Sequence, residues 1–145
     1  MVRTRVKICG VCRAEDAVSA VRGGADAVGV VQDPSAGRYV PQEDAKKILA
    51  SAPFVTTVGL FVNSPAHQIK SVLSILPFSA VQLHGDESPE LVAELKPIRV
   101  IKAIHLRPGD ATPLRKWRDA IHDLQLTNIM ALLIESEREG PARGA

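Results

Sequence analysis

Residues 6–31 read VKICGVCRAEDAVSAVRGGADAVGVV, and this stretch decides what kind of fold the chain can form. It opens with a short apolar run that ends at Cys9, continues at helical spacing to a pair of glycines, and closes with a second apolar run. Short apolar runs bounded by glycines predict strands, and the glycine pair is a natural helix stop. A strand, a helix and a second strand in this order predict two parallel strands joined by a crossover helix.

The same alternation continues along the rest of the chain. Ser64-Pro65 and Ser88-Pro89 each offer a helix N-cap followed by a proline at the first helical position. The alternation of strands and helices fits either an open, doubly wound sheet or a (β/α)₈ barrel. It favours the open sheet, because a barrel needs eight βα units and only six strands are predicted. The predicted strands cover 4–9, 27–31, 55–62, 80–85, 99–106 and 128–135, and the predicted helices cover 14–23, 42–51, 65–75, 88–95 and about 112–124.

The composition predicts one soluble domain spanning residues 1–145, with 46% hydrophobic and 23% charged residues. The net charge is only +2, the charges are scattered and aromatic residues are few, which argues against a nucleic-acid or membrane-surface protein. The apolar runs are too short to span a bilayer, and the N-terminus lacks the pattern of a signal peptide. With two cysteines and no export signal, we expect a cytoplasmic protein.

Polar side chains that could carry chemistry stand where the predicted strands end, which is the edge where parallel α/β folds place their sites. Lys7 and Cys9 are two residues apart and therefore share one face of the first strand. A nearby lysine favours a thiolate, which can act as a nucleophile or as a general base. The other candidates at strand ends are Arg38, Asn63, Gln82, His84, Asp86, Glu87 and Glu135.

Each candidate also has a structural interpretation, which the residues alone leave open. A cysteine that ends an apolar strand is often a small buried hydrophobe. Arg38 could be a surface charge, and Glu135 could be a solvated residue of a charged tail. His84 beside Gln82 could be a hydrogen-bonded structural histidine instead of a ligand.

Cys9 and Cys12 form a C-x-x-C pair that has three interpretations. A thioredoxin-like redox pair lies at the start of a helix that follows a strand, as this pair nearly does. Gly-Val, however, is not the usual dipeptide between the two cysteines of such a motif. Half of a zinc site would need two more ligands, and the sequence has neither a second cysteine pair nor an H-x₃₋₅-H pattern, so no metal is expected. In the third interpretation the second cysteine carries no chemistry.

Five stretches of the sequence stand out when they are taken together: VKICG at the start, then DPSAGRYV, VGLFVN, VQLHGDESPE and VIKAI. In this order they resemble the phosphoribosylanthranilate isomerase family of tryptophan biosynthesis. The resemblance implies a (β/α)₈ barrel of which this chain holds about six units, β1 to β6, and so it replaces the open sheet. It also implies an Amadori rearrangement of N-(5-phosphoribosyl)anthranilate, a phosphosugar, without any cofactor.

The resemblance also implies roles for individual residues. Cys9 takes the position of the family's general base, and Glu135 takes the position of its general acid, an aspartate at the end of strand six. Arg38 takes the position of an arginine that pairs with the anthranilate carboxylate, and Gln82 would line the pocket. Lys7, on the same face as the base, is expected to contact the substrate.

The sequence departs from the family's pattern at several points. Cys12 stands where the family usually has threonine, and the acid is a glutamate, one methylene longer than aspartate. The family continues after strand six with a G-G-T-G loop and two further βα units that hold the substrate phosphate, whereas this sequence stops at that point. We therefore expect an incomplete, C-terminally truncated barrel that is poorly folded and nearly inactive in isolation.

Two alternatives stay open from the sequence. One is another barrel enzyme that handles phosphosugars, such as indole-glycerol-phosphate synthase. The other is a non-catalytic α/β remnant whose C-x-x-C pair has a redox role.

Overall fold

The computed structural model describes residues 3–136, in which six parallel strands alternate with five helices. None of these helices is long and apolar enough to cross a membrane. The predicted elements are confirmed with small shifts at their ends; for example, β1 begins at Lys7 and not at residue 4. The strands are β1 (Lys7–Cys9), β2 (Ala27–Val31), β3 (Thr56–Phe61), β4 (Ala80–Leu83), β5 (Val100–Leu106) and β6 (Ile129–Ser136); the helices are α1 (Ala14–Arg22), α2 (Gln42–Ser51), α3 (Ala66–Ile75), α4 (Pro89–Glu94) and α5 (Thr112–Asp123).

The strands pair in the order β1-β2-β3-β4-β5-β6, and each pair is parallel. A doubly wound sheet reverses its strand order at a switch point, whereas a barrel keeps the chain order. Val31 of β2, Leu60 of β3 and Ile101 of β5 form one cluster on the inner face, and Leu133 of β6 packs against it. The sheet is therefore curled into part of a barrel, and the open sheet favoured by rhythm alone is wrong.

The opposite face of the sheet packs against the helices. Phe61, Leu83 and Trp117 belong to the larger cluster there, and Val28 and Ile48 belong to a second one. Complete burial of a side chain of this size contributes about 1.5–3 kcal/mol, so this layer supplies most of the hydrophobic stabilisation. Because both faces are covered, the central strands are apolar almost throughout, as a parallel sheet requires.

The edges of the sheet are more open than its centre. Over residues 3–136, β1 pairs only with β2, and β6 pairs only with β5. Ile8 on β1 and Ile134 on β6 are 42% and 47% exposed, while Val58 and Val81 in the centre are fully buried. Within the described residues, the outer edges of β1 and β6 are thus the least protected part of the sheet.

A buried ion pair fixes the loops that follow β3 and β4. Lys102 Nζ lies 2.9 Å from Glu87 Oε2 and donates to the carbonyl of Gly85 at 2.7 Å. The Glu87 carboxylate also accepts from the backbone N–H groups of Asn63 and Gly85. The side chains of Lys102 and Glu87 are only 3% and 1% exposed. Glu87, a polar candidate from the sequence, therefore has a structural role in this part of the chain.

Two helix starts were predicted, and the structure confirms one of them. Ser88 is the N-cap of α4, its Oγ accepts from the Leu91 N–H, and a proline occupies the first turn. Ser64 does not cap α3, because that helix begins one residue later than predicted and Pro65 takes the N-cap position. The Ser64 hydroxyl donates instead to the carbonyl of Val62.

The buried ion pair yields a stability prediction. The Lys102→Ala substitution leaves the Glu87 carboxylate buried without its counter-charge, so we expect the free energy of unfolding to fall by about 3–5 kcal/mol. Urea denaturation measures this change. Lys47→Ala is the matched control, because it removes an exposed ion pair to Asp44 and should not change stability measurably. Equal stability of the two variants would contradict the structural role of the pair.

Candidate functional site

The candidate site lies on the inner face of the curled sheet, where the strands end. Alternation along each strand places Lys7 and Cys9 of β1 on this face together with Gln82 of β4. His105 and Glu135 lie opposite each other in the register of β5 and β6. The inner face therefore presents polar groups both at the β1 edge and at the β4–β6 side.

At the β1 edge, Lys7 and Cys9 meet above Gly29 of β2. A Cβ atom at position 29 would lie 3.2 Å from Lys7 Nζ and 3.3 Å from Cys9 Sγ, so the absence of a side chain leaves both groups room. The Cys9 thiol is exposed and free. The structure thus confirms that these two side chains share one face, and it excludes the interpretation of Cys9 as a small buried hydrophobe.

Arg38 joins this group from the loop after β2. Its guanidinium covers Gly10, and a Cβ atom at Gly10 would come within 2.6 Å of Arg38 Cζ. Gly10 also has a φ of +76°, a conformation that other residues rarely adopt. Arg38 therefore lies beside the strand end that carries Cys9, and its guanidinium occupies the space above Gly10.

Cys12 has a different environment from Cys9. Its Sγ lies 3.4 Å from the Gly10 carbonyl oxygen and 3.8 Å from the Arg38 carbonyl oxygen. The thiol therefore links the loop after β1 to the loop after β2. The structure gives the two cysteines separate partners.

On the other side of the site, Gln82, His84, His105 and Glu135 form one connected group. Gln82 is fully buried, and its Nε2 lies 2.8 Å from His84 Nδ1. With Gln82 as the donor in this contact, the proton of the His84 ring is on Nε2, which lies 3.3 Å from Glu135 Oε2. His105 Nδ1 lies 3.7 Å from the same carboxylate oxygen, and the two imidazole rings meet edge to face.

The charge state of this group follows from its burial. Desolvation lowers the pKa of His84 below its ordinary value. The Glu135 carboxylate opposes this fall in pKa, while the charges of His105 and Lys102 reinforce it. The lowered pKa favours the neutral form of His84 at neutral pH.

Most of these residues could be identified from the sequence. Lys7, Cys9 and Arg38 were predicted, and the structure brings them together at the β1 edge. Gln82 and Glu135 were predicted as well, and both lie beside His84. His105 was not predicted. His105 lies two residues after Ala103 on β5, so both side chains are on the same face of the sheet. This alternation, beside a predicted strand that ends in Glu135, was the signal for His105 in the sequence.

Comparisons with known proteins agree on one family. Residues 6–128 match the family model described as N-(5'-phosphoribosyl)anthranilate (PRA) isomerase. An N-(5'-phosphoribosyl)anthranilate isomerase of Acinetobacter calcoaceticus is 46% identical over 111 residues, which are 74% of this chain and 52% of that protein. The chain thus spans about half the length of the curated relatives it matches.

Solved structures of the same family have the same fold. The crystal structure of phosphoribosyl anthranilate isomerase from Thermotoga maritima matches with a TM-score of 0.81 at 35% identity, covering 96% of this chain and 64% of that one. A crystal structure of the isomerase in complex with reduced 1-(o-carboxyphenylamino)-1-deoxyribulose 5-phosphate matches with a TM-score of 0.73 at 30% identity, covering 99% of this chain and 93% of that one. The curled six-stranded sheet is therefore part of a (β/α)₈ barrel fold.

The contact between Gly10 and Arg38 can be tested with two neighbouring glycines. Gly10→Ala forces an L-residue into the left-handed region and pushes the Arg38 guanidinium away, so we expect the free energy of unfolding to fall by about 1–3 kcal/mol. Gly37→Ala is the control, because nothing lies within 4 Å of a Cβ at that position. Urea denaturation of both variants measures the difference, and an unchanged stability of Gly10→Ala would contradict the described contact.

Proposed function

This chain belongs to the N-(5'-phosphoribosyl)anthranilate isomerase family, and we propose that it acts in tryptophan biosynthesis as an isomerase of N-(5-phosphoribosyl)anthranilate. The observation that carries the proposal is the position of Cys9 and Glu135. They stand at the inner-face ends of the two edge strands, so a sugar lying across the curled sheet would have one group on each side. An acid and a base on opposite sides of a substrate are what this isomerisation needs.

The proposed reaction uses these two groups in succession. Glu135 gives a proton to the furanose ring oxygen, the C1′–O bond breaks, and the anthranilate nitrogen becomes part of a Schiff base. Cys9 then removes the C2′ proton, and the electrons of that C–H bond move into the Schiff base to form an enolamine. Tautomerisation gives the aminoketose. No cofactor is needed in this scheme, because the imine of the substrate accepts the electron pair.

The surroundings of Glu135 support a role in proton transfer. The carboxyl group is partly exposed, so a substrate can reach it, and two imidazoles hold it at the end of β6. His84 is in turn oriented by the fully buried Gln82. Neighbouring groups that restrict a catalytic side chain help to keep the geometry that proton transfer requires.

The other polar side chains are assigned to substrate binding. Arg38, beside the strand that carries Cys9, would pair with the anthranilate carboxylate through charge-assisted hydrogen bonds. Lys7 shares the inner face with Cys9 and would contact substrate oxygens, while Gln82 would form the floor of the pocket. The related crystal structure with a bound reduced deoxyribulose 5-phosphate supports a phosphosugar as the ligand.

The other two functions considered from the sequence have less support. The family model and the curated relatives are those of the isomerase and not of another barrel enzyme that handles phosphosugars. A redox C-x-x-C remnant would use both sulfurs, whereas Cys12 contacts backbone carbonyls and Cys9 faces the inner surface beside Lys7. A cytoplasmic location is part of the proposal, since both thiols are free.

The two cysteines give the sharpest test of this function. The purified chain is expected to turn over N-(5-phosphoribosyl)anthranilate slowly, and Cys9→Ala should reduce this residual rate to the uncatalysed background, because a general base usually contributes about 10²–10⁴-fold. Cys12→Ala should keep the rate, because its thiol contacts only backbone carbonyls. Chromatographic separation of substrate and product measures both rates. Equal losses in the two variants would favour the redox interpretation.

Binding of the reduced product analogue provides a second test that does not depend on turnover. We expect Arg38→Ala to weaken binding about 10–100-fold, the cost of a lost charge-assisted hydrogen bond. Arg22→Ala at the exposed end of α1 is the control and should leave binding unchanged. Isothermal titration calorimetry measures the two dissociation constants. Equal dissociation constants for Arg38→Ala and Arg22→Ala would overturn the assignment of Arg38 to the substrate carboxylate.

A further inference from the structure

Two imidazoles and a carboxylate come together at the carboxyl ends of β4, β5 and β6, and we propose that they form a binding site for a divalent transition-metal ion, Zn²⁺ being the best match. The ligands are His84, His105 and Glu135, whose donor atoms lie within 4.8 Å of one another. Binding of the ion does not depend on the isomerase function.

The spacing of the donor atoms suits a metal of this size. Zn²⁺ binds imidazole nitrogen and carboxylate oxygen at about 2.0–2.2 Å in tetrahedral geometry, which separates two ligand atoms by about 3.3–3.6 Å. Glu135 Oε2 lies 3.3 Å from His84 Nε2 and 3.7 Å from His105 Nδ1. Two edges of the required tetrahedron are thus close to the required length, and the two imidazole donors lie within 4.8 Å of each other.

The backbone holds these ligands in place. His105 and Glu135 face each other in the register of β5 and β6, and His84 follows directly after β4. Ligands on neighbouring strands keep their spacing better than ligands on loops. The side chains of His84, His105 and Glu135 are 20%, 37% and 39% exposed, so an ion can enter and a fourth position is open to water or another ligand.

Gln82 supplies a second observation that is independent of the three ligands. The side chain is fully buried, and its Oε1 has no hydrogen-bond partner among the described residues. To bind a metal through Nε2, His84 must carry its proton on Nδ1, where that proton needs an acceptor. Rotation of the Gln82 amide by half a turn places Oε1 at the position now held by Nε2, 2.8 Å from His84 Nδ1. Gln82 can therefore support His84 both with and without an ion.

The donor set also selects the kind of ion. Two imidazole nitrogens and one carboxylate suit Zn²⁺ and other late divalent transition metals, whereas Mg²⁺ and Ca²⁺ prefer oxygen ligands. An ion bound here would occupy the carboxylate that we assign as general acid. This consequence, unlike the binding itself, depends on the proposed function: Zn²⁺ would inhibit the isomerase, and chelation would restore it.

The test measures metal binding directly, in a background that removes the thiols as competing ligands. The Cys9→Ser, Cys12→Ser chain is freed of metal with a chelator and titrated with Zn²⁺ by calorimetry, with Mg²⁺ as a second titrant. We expect one equivalent of Zn²⁺ to bind and Mg²⁺ not to bind. Co²⁺ in place of Zn²⁺ should give the visible absorption of a site with nitrogen ligands.

Variants distinguish a specific metal site from adventitious binding of the ion. Gln82→Leu should weaken Zn²⁺ binding about 10–100-fold, as loss of a supporting hydrogen bond does, and His105→Ala and Glu135→Gln should weaken it more. His122→Ala is the matched control, because that side chain is 90% exposed on α5 and its Nδ1 lies beside Asp123, away from the three proposed ligands. Circular dichroism checks that each variant is folded. No binding of Zn²⁺, or equal affinity of His105→Ala and His122→Ala, would overturn the proposal, and calorimetry shows this whether or not the chain has isomerase activity.

Discussion

The parallel pairing of the strands in chain order is the constraint on which every feature of the site depends. It brings all carboxyl ends to one edge of the sheet, so that residues far apart in sequence become neighbours. Alternation along each strand then decides which side chains reach the inner face. A shift of β6 by one residue against β5 would turn Glu135 toward the helices and separate it from both histidines.

The site has two halves that are held in different ways. The half at β1 is built on glycines, since Gly10 and Gly29 leave room for Arg38, Lys7 and Cys9. The half at β4 to β6 is built on a chain of polar contacts that begins at the buried Gln82 and ends at the exposed Glu135. The first half brings a thiol and two cations together, and the second places one carboxylate beside two imidazoles. A division of this kind suits a reaction that needs a base and an acid on opposite sides of a sugar.

Much of this arrangement could be predicted from sequence, for physical reasons. Strand and helix positions follow from the apolar rhythm, and Lys7 and Cys9 share a face because they are two residues apart. The position of Ser64 and the role of Glu87 could not be predicted. The start of α3 depends on one residue of backbone geometry, and Glu87 is buried because Lys102, fifteen positions further along, reaches it. His105 could have been found from its alternation with Ala103 along β5, which places it on the inner face opposite Glu135.

The central claim is that Cys9 removes the C2′ proton of the substrate, and isotopic labelling at that carbon tests it most directly. Substrate deuterated at C2′ should react more slowly than unlabelled substrate with the unmodified chain, because breaking the C2′–H bond is then part of the slow step. With Cys9→Ala, turnover of both substrates should be lost. If Cys9→Ala turned over both substrates at the original rates with the same isotope effect, another group would remove the proton and the account would be wrong.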